Sequence, residues 1–393
     1  MNIQPLFVLR YNPEQMGKFI IQFTDDSYNK EIGSALIDAR NDAEAISSFL
    51  GEYKDSPETL RSYTKEIERL LLWCIHVAHT SISGLRRDHF MEYQSFLKNP
   101  MPSKLWCGPS VARLDKNGEF NKNWHPFVKK LGPSSIKKSL KIIDSFLNYL
   151  VQTNYLVGNP LAVDRRRNRR TQKPQVIDRY LELDEIKVVL ETLAKQPQKD
   201  LSSRFQVLRA QYIILLLFYT GLRVSEASNH RMGDFIQREG NWFLRILGKG
   251  KKQREIPVPD DLLLILKEFR EQMGLPSPQP EFKELTPLIP TKNLKESISP
   301  RRIDQILKWA FRLGALELDH DHPRKASKLK SASAHWLRHS YVTYLIDSGA
   351  PLKVAQENAG HSDIGTTMLY THVAQRDRHA ATRKLSLRKK TNG

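Results

Sequence analysis

An arginine and a glutamate stand three residues apart just beyond a nearly continuous apolar stretch of the chain. Residues 207–219 are predicted to form a buried helix that Gly221 can end, and Ser225 and Glu226 suit the first turn of the next helix. Arg223 would then lie beside the unpaired N–H groups of a helix N-terminus, which attract phosphate. Glu226 could orient its guanidinium through a charge-assisted hydrogen bond. The plain alternative is an arginine that reaches from a turn into solvent.

A histidine and an arginine share one face of a second predicted helix. His335 and Arg338 are three residues apart, so their side chains project to the same side. Leu337, Tyr341 and Leu345 form a separate apolar stripe that would hold this helix against the core. A polar face beside such a stripe is what a site requires, although ordinary surface helices show the same pattern.

Three further segments carry reactive residue types. Lys249 lies in a Gly-Lys-Gly turn between two predicted strands. His361 follows Gly360, which can end a short helix, and Tyr370 comes nine residues after His361. Taken singly, a lysine in a hairpin turn is usually solvated, and a lone tyrosine is usually a core or interface residue.

Taken together, the order and spacing of these five segments resemble the tyrosine recombinase (phage integrase) family. The resemblance covers about residues 181–375, with a weaker match in residues 49–163. Asn358 and Ala359 depart from it, because a more apolar pair usually precedes the Gly-His step. The resemblance implies the following catalytic residues: Arg223, Lys249, His335, Arg338, His361 and Tyr370, with Glu226 supporting the first arginine.

The implied reaction is attack by a tyrosine on a DNA phosphodiester. Arg223 and Arg338 offer planar, permanently charged donors to the non-bridging oxygens, where negative charge increases during attack. Preorganised donors of this kind typically contribute about 3 kcal/mol each in a site that excludes water. His361 would hydrogen-bond a phosphate oxygen. Tyr370, as a phenol with a reference pKa near ~10, must lose its proton as it attacks.

The resemblance assigns the two proton transfers to different side chains. His335, with a reference pKa near ~6.5, would accept the tyrosine proton or hydrogen-bond the phenol. Lys249 would protonate the leaving 5′-oxygen from a mobile turn. The products are a covalent 3′-phosphotyrosyl link and a free 5′-hydroxyl, and a second 5′-hydroxyl can reverse the reaction to join new strands. Because the protein supplies the cations, we expect no metal and no other cofactor.

The composition independently favours a nucleic acid as partner. The chain has 393 residues, a formal net charge of +19 and a pI near 9.7, an excess typical of proteins that bind a polyanion. The longest apolar run, residues 212–219, is far shorter than a membrane span, and no signal peptide is evident. Two widely spaced cysteines, Cys74 and Cys107, favour a reducing compartment. We therefore expect a cytoplasmic, nucleoid-associated protein without a membrane partner.

The expected fold is mainly α with a small β-hairpin or sheet in the catalytic domain, arranged as a two-domain DNA clamp. We expect an N-terminal segment of unknown role (1–48), a helical core-type DNA-binding domain (49–163), a basic linker (164–174) and a catalytic domain with a C-terminal tail (175–393). Within 99–128 an extended insertion is expected, and residues 317–333 are expected to form a polar loop. The predicted DNA contacts are Arg165, Arg166, Arg167, Arg169, Arg170, Lys251, Lys252 and Arg254.

The resemblance also implies an assembly, and some alternatives remain open. It implies a homotetramer on two double-stranded DNA target sites, with a tail such as residues 376–390 docked on a neighbouring protomer, and accessory DNA-bending proteins are conceivable partners. A disordered basic tail on DNA is the simpler alternative. Other functions are a type IB topoisomerase or a resolvase, which share the chemistry, and a non-catalytic DNA-binding relative. A metal nuclease built on residues 319–322 (Asp-His-Asp-His) is a further alternative.

Overall fold

The chain, in a computed structural model, divides into two compact units, Met1–Thr171 and Gln172–Gly393. The structure describes residues 3–6, 35–162, 179–248, 252–277 and 279–360, together with Thr367. No helix in these residues is both long and apolar enough to cross a membrane. Several predicted features lie outside the described residues: Arg165, Arg166, Arg167, Arg169, Arg170, Lys249, Lys251, His361, Tyr370 and the tail 376–390.

The regular secondary structure of the first unit is mainly helical over its described residues. Prolines at the start of two of its helices, Pro57 and Pro133, fit the fixed φ of a first helical position, as the sequence predicts. The second helix continues into a π-helical turn at Cys74–Ala78. The helices are α1 (Asp42–Gly51), α2 (Pro57–Trp73), α3 (Arg87–Lys98), α4 (Ser103–Trp106) and α5 (Pro133–Gln152).

Helix α1 belongs to the core of this unit, although the sequence analysis assigned most of it to the N-terminal segment. Asn41 caps α1 by accepting the N–H of Glu44 at 3.0 Å. Ile46 and Phe49 are buried in the same core as α2 and α5, and Phe49 packs 5.1 Å from Phe146 between ring centroids. The helical unit therefore begins at Asp42 or earlier, and not at residue 49 as predicted.

The insertion between α3 and α5 is not a free extension. Trp106, Trp124 and Phe127 are buried in the core of the first unit. Single β-bridges pair Cys107 with Phe127, and Leu114 with Phe120. The Trp and Phe residues of the insertion therefore anchor it, which its high content of Pro, Gly and Asn obscured in the sequence.

The second unit is mostly helical with one small sheet. Strand order is β1-β2-β3, and both pairs are antiparallel. The elements are α6 (Leu183–Ala194), α7 (Leu201–Thr220), α8 (Val224–Asn229), β1 (Phe235–Arg238), β2 (Asn241–Leu247), β3 (Gln253–Pro257), α9 (Asp260–Gln272), α10 (Pro300–Leu318), α11 (Pro323–Ser331), α12 (Ala334–Asp347) and α13 (Leu352–Ala359).

The sequence predicted β2 and β3 but missed β1. The link from β1 to β2 is a two-residue turn in which Glu239 (φ 49°) and Gly240 (φ 80°) both have positive φ, as a tight hairpin requires. Glutamate rarely adopts this conformation, so the Glu-Gly pair gave a weaker turn signal than Asn-Gly would. The sheet thus gains a third strand beside the predicted hairpin.

The predicted polar loop at residues 317–333 is wrong, because most of it is helical. Helix α10 continues to Leu318, and α11 begins with Pro323 at its first position. Ala326 and Leu329, three residues apart, are both buried in the core of the unit. The small apolar face of α11 was hidden among many charged residues, so the segment looked like a solvated loop.

Candidate active site

The turn that carries the first predicted catalytic residue depends on a glycine at the end of the core helix. Gly221 ends α7 with φ 60°, a conformation that favours glycine. A Cβ added there would lie 2.4 Å from Cδ1 of Tyr341, so the ring of that tyrosine also excludes any side chain. Leu222 is buried, and Arg223 then caps the N-terminus of α8. As predicted from the sequence, one helix ends at this glycine and the next begins just after Arg223.

The carboxylate of Glu226 joins two arginines. Its Oε2 accepts the backbone N–H of Arg223 at 2.8 Å, and its Oε1 accepts Nη1 of Arg223 at 3.0 Å. Arg254 on β3 donates Nη1 to Oε1 at 3.0 Å and Nη2 to Oε2 at 2.9 Å. Burial would raise the pKa of Glu226, but these hydrogen bonds and the charges of both arginines lower it overall. Glu226 is therefore ionised at neutral pH.

Three arginines donate to three successive carbonyls at the C-terminal end of α13, residues 358–360. Nε of Arg254 donates to the first carbonyl at 3.0 Å, Nη2 of Arg338 donates to the second, and Nη2 of Arg223 donates to the third at 3.1 Å. The last carbonyls of a helix have no partner within it and carry its negative dipole end. The three cations therefore converge on the turn that immediately precedes His361.

The two predicted catalytic arginines differ sharply in exposure. Arg338 on α12 is 1% exposed, and its Nη1 also donates to the carbonyl of Gly221 at 2.5 Å. The side chain of Arg223 remains 42% exposed. Arg338 thus ties α12 to the ends of α7 and α13, while part of the Arg223 side chain remains accessible to solvent.

His335 lies one turn before Arg338 on α12, and the residue keeps an exposed face. Partial burial of its ring, together with the positive charges of Arg338 and Arg223, lowers the pKa of His335 below its ordinary value. The ring of His339 lies 4.2 Å away between centroids in an edge-on arrangement. The imidazole of His335 is therefore neutral at pH 7 and can accept a proton or a hydrogen bond.

A buried histidine that the sequence analysis missed connects α8 to the β2–β3 hairpin, whose link contains Lys249 in sequence and which we call the lysine hairpin. The N–H of Leu247, the last residue of β2, donates to Nε2 of His230 at 2.9 Å. Nδ1 must therefore carry the ring proton, and it donates to the carbonyl of Glu226 at 2.8 Å. This pair of bonds fixes the strand end next to Gly248. No periodicity or motif marks His230, so only the structure reveals it.

The two described basic residues of the hairpin have different environments. Lys252 is exposed, and its carbonyl accepts the N–H of Gly248 at 2.8 Å, a bond that joins the two described residues on either side of 249–251. The side chain of Arg254 is only 12% exposed. Its guanidinium faces Glu226 and the end of α13, whereas the sequence analysis predicted that Arg254 contacts DNA. Strand alternation was the available signal, because Arg254 lies on the same strand face as buried Ile256.

The remaining predicted site residues lie outside the described part of the chain. These are Lys249, Lys251, His361, Tyr370 and the five linker arginines. Thr367, three residues before Tyr370, is buried and helical. Among the described residues no group of His, Cys, Asp or Glu could hold a metal ion. In the Asp-His-Asp-His run, Asp319 pairs with Lys330 at 2.7 Å, and His320 pairs with its neighbour Asp321 at 2.7 Å.

Comparison with known proteins decides the family. The phage integrase family model matches residues 179–377, which is more than half of the chain. The chain belongs to the phage integrase family, the tyrosine recombinases. A tyrosine recombinase of Thermosipho africanus (strain TCF52B) is 28% identical over 346 residues, covering 87% of this chain and 98% of that protein. Tyrosine recombinase XerA of Pyrococcus furiosus is 31% identical over 244 residues, covering 61% and 74%.

Solved structures share the fold of this recombinase. The Tn1549 transposon integrase in complex with a circular intermediate DNA has a TM-score of 0.60 at 14% identity, covering 88% of this chain and 100% of that chain. The XerH site-specific recombinase bound to its difH substrate has a TM-score of 0.56 at 16% identity, covering 97% and 99%. The prediction of a mainly α fold with a small sheet in the catalytic unit is confirmed.

Proposed function

We propose that Tyr370 is the nucleophile with which this tyrosine recombinase cuts and rejoins DNA at specific sites. The observation that carries the proposal is the convergence of Arg223 and Arg338 on the turn before His361, with His335 one helical turn away. Two permanent cations and a neutral imidazole are the groups that a phosphodiester and an attacking phenol require. Tyr370 follows in sequence at the position that the family resemblance assigns to the nucleophile.

In the proposed reaction, the arginines bind the scissile phosphate before the covalent step begins. Arg223 is the half-exposed member of the pair and contacts a non-bridging oxygen directly. Arg338, buried at the ends of α7 and α13, supplies fixed positive charge beneath the phosphate. His361 hydrogen-bonds the same group. These donors stabilise the charge that develops as the phosphorus becomes five-coordinate.

The covalent step balances with two proton transfers. The Oη of Tyr370 forms a bond to phosphorus as the bond from phosphorus to the 5′-oxygen breaks. The phenol proton passes to His335, whose lowered pKa keeps it neutral beforehand, and Lys249 gives a proton to the 5′-oxygen. A 5′-hydroxyl from another strand reverses each transfer and completes the exchange. The chain itself supplies every charge in this scheme, so it uses neither metal nor nucleotide cofactor.

DNA binding is supported by charge and by similar proteins. The net charge of +19 suits a polyanionic partner. Among the similar structures, XerH is bound to difH substrate and a lambda integrase dimer is bound to a core site. We propose that the linker arginines at 165–170, together with Lys251 and Lys252, contact DNA phosphates. A homotetramer on two duplexes in the nucleoid, assisted where needed by DNA-bending proteins, is the proposed working assembly.

A strand-exchange assay tests this function against its alternatives. Duplexes are first selected from a random-sequence library by affinity for the chain. One labelled and one unlabelled duplex that carry the selected site are then mixed with the protein, alongside a supercoiled plasmid that carries it once. Exchange of label between duplexes supports a recombinase. Relaxation of the plasmid without exchange indicates the topoisomerase alternative. Failure of every selected duplex to form a covalent adduct would point to a non-catalytic DNA-binding protein.

A further inference from the structure

Arg254 is the side chain at which three segments of the site meet. Its Nη1 and Nη2 form a bidentate ion pair with the carboxylate of Glu226, at 3.0 and 2.9 Å. Its Nε donates to the carbonyl of Asn358 at 3.0 Å, at the end of α13. An added Cβ on Gly360 would lie 2.9 Å from Nη1, and one on Gly248 would lie 3.2 Å from the same atom. The guanidinium therefore fills the space between the lysine hairpin, Glu226 and the turn that leads to His361.

We infer that Arg254 is a positioning residue that holds Glu226 and the end of α13 so that Arg223 keeps a guanidinium edge for the phosphate. The inference rests on the proposed function, because it assigns Arg223 to the scissile phosphate. Arg254 itself takes no part in bond breaking. Its role is to fix the partners that set the direction and the charge of the residues that do.

The sharing of one carboxylate explains how Arg254 acts on Arg223. Arg254 occupies a lone pair on each oxygen of Glu226, so Arg223 reaches that carboxylate with only one guanidinium nitrogen. Oε2 of Glu226 accepts only the backbone N–H of Arg223 besides Arg254, so removal of Arg254 lets a second guanidinium nitrogen of Arg223 bond to Oε2. The resulting bidentate pair would draw the donors of Arg223 away from the phosphate. The buried carboxylate would also lose its second cation, and a carboxylate with fewer charged donors is costly to bury.

The charge balance leads to the same conclusion. Arg223 and Arg254 share the single negative charge of Glu226, so the three groups retain a net positive charge beside the partly exposed Arg223 side chain. Arg254 in effect neutralises Glu226, and the full charge of Arg223 remains to stabilise the transition state. Lysine could supply the charge, but it could not form both the bidentate ion pair with Glu226 and the hydrogen bond to the carbonyl of Asn358.

The experiment measures the rate of adduct formation at saturating DNA with nicked duplexes that trap the covalent intermediate. Arg254→Ala and Arg254→Lys are compared with Arg238→Ala, which removes the charge of a 61%-exposed side chain on β1 of the same sheet. We expect Arg254→Ala to form adduct about 10- to 100-fold more slowly, the size of effect that misplacement of a catalytic group produces. Arg254→Lys should fall between it and the wild type. Arg238→Ala should match the wild type, and DNA affinity should change by less than about twofold in all three.

A double-mutant cycle separates positioning from general loss of structure. If Arg254 acts through Glu226, its removal should cost much less in a Glu226→Gln background than in the wild type. Additive effects in the cycle, or a wild-type rate in Arg254→Ala, would overturn the inference. Where Arg254→Ala has a collapsed melting temperature, the Arg254→Lys arm of the same cycle decides. Failure of the wild type itself to form adduct would instead overturn the proposed function, and the inference with it.

Discussion

At the scale of single residues, the chemistry of this site depends on how charge is divided around Glu226. Its carboxylate accepts a backbone N–H and two guanidinium groups, and the hydrogen bonds of the arginines outweigh burial to lower its pKa. Partial burial and the positive charges of Arg338 and Arg223 lower the pKa of His335, so the same site holds an ionised carboxylate and a neutral imidazole. With Glu226 ionised and His335 neutral, the histidine is in the protonation state in which it can act as a base near neutral pH.

The state of His335 leads to a pH prediction. Because its pKa lies below the ordinary value near ~6.5, the imidazole stays neutral as the pH falls through 6.5 and takes up its proton only below that. We expect the second-order rate of adduct formation, which reports on the DNA-free protein, to hold at pH 6.5 and to decline at lower pH. In His335→Gln the rate should be low and this decline should disappear. A decline centred at or above 6.5, or one that persists in the variant, would contradict the role.

The proton donor can be tested by changing the leaving group. If Lys249 protonates the 5′-oxygen, replacement of that oxygen by sulfur removes the need for it, since a thiol has a pKa near ~8.5. Lys249→Ala should recover most of its cleavage rate on the sulfur substrate. Arg223→Ala should stay slow, because its task is charge stabilisation. Lys252→Ala is the neighbouring control and should show mainly weaker, more salt-sensitive binding. Equal rescue of Lys249→Ala and Arg223→Ala would remove Lys249 from this role.

At the scale of elements, the site is made where the ends of helices meet rather than along any one of them. Gly221 caps the end of α7, Arg223 caps the start of α8, and α13 ends beside the three arginines. Helix ends leave unpaired carbonyls and N–H groups, so they are natural places to fix charged side chains. The short sheet adds Arg254 and places Gly248 at the edge of the same cluster.

The turn at Gly221 gives a prediction with an internal control. Gly221 and Gly240 both have positive φ, but a Cβ would meet Tyr341 at 2.4 Å at the first position and nothing within 4 Å at the second. Gly240→Ala should therefore cost only the backbone strain, about 1 kcal/mol of unfolding free energy. Gly221→Ala should cost about 1–3 kcal/mol more, because it also overpacks a buried turn. Urea denaturation measures both, and equal losses would show that the ring of Tyr341 gives way freely.

How far the sequence could predict these elements depended on how local their signals are. Prolines at positions 57, 133 and 300 predicted helix starts that the structure confirms. The apolar run at residues 207–219 likewise predicted the buried helix α7. The contact between Arg223 and Glu226 was predictable because three residues on a helix separate them. The contacts of Arg254 with Glu226 and Asn358 were not, since 28 and 104 residues separate the partners. Strand alternation places Arg254 on the face of buried Ile256, but only tertiary packing shows which partners its guanidinium meets there.

At the scale of the whole molecule, the chain consists of two units joined through a basic segment. Each unit has its own hydrophobic core, and the arginines at 165–170 that are predicted to bind phosphates lie near the end of the first unit in sequence. The arginine-rich segment and the net charge of +19 favour binding through DNA phosphates. Binding should then be strongly salt-dependent.

The C-terminal tail provides a prediction about assembly. Seven of the residues from 376 to 390 are Lys or Arg, and helix-forming residues are interspersed among them. If the tail docks on a neighbouring protomer, truncation after Gln375 should abolish assembly on two duplexes while binding to a single site remains nearly intact. Analytical ultracentrifugation of the protein–DNA complexes measures both. Equal loss of single-site binding would favour a tail that simply lies on DNA, and unchanged assembly would contradict docking.

The most direct test of the central claim is to locate the protein–DNA bond. Wild-type protein and Tyr370→Phe are incubated with the nicked duplex, digested with protease and nuclease, and analysed by mass spectrometry. We predict a nucleotide linked through a 3′-phosphate to the peptide that contains Tyr370, and no adduct in Tyr370→Phe, whose DNA affinity should stay within about twofold of the wild type because only the nucleophilic oxygen is lost. A nucleotide attached to any other residue, or an adduct that forms in Tyr370→Phe and survives denaturing electrophoresis, would contradict the account.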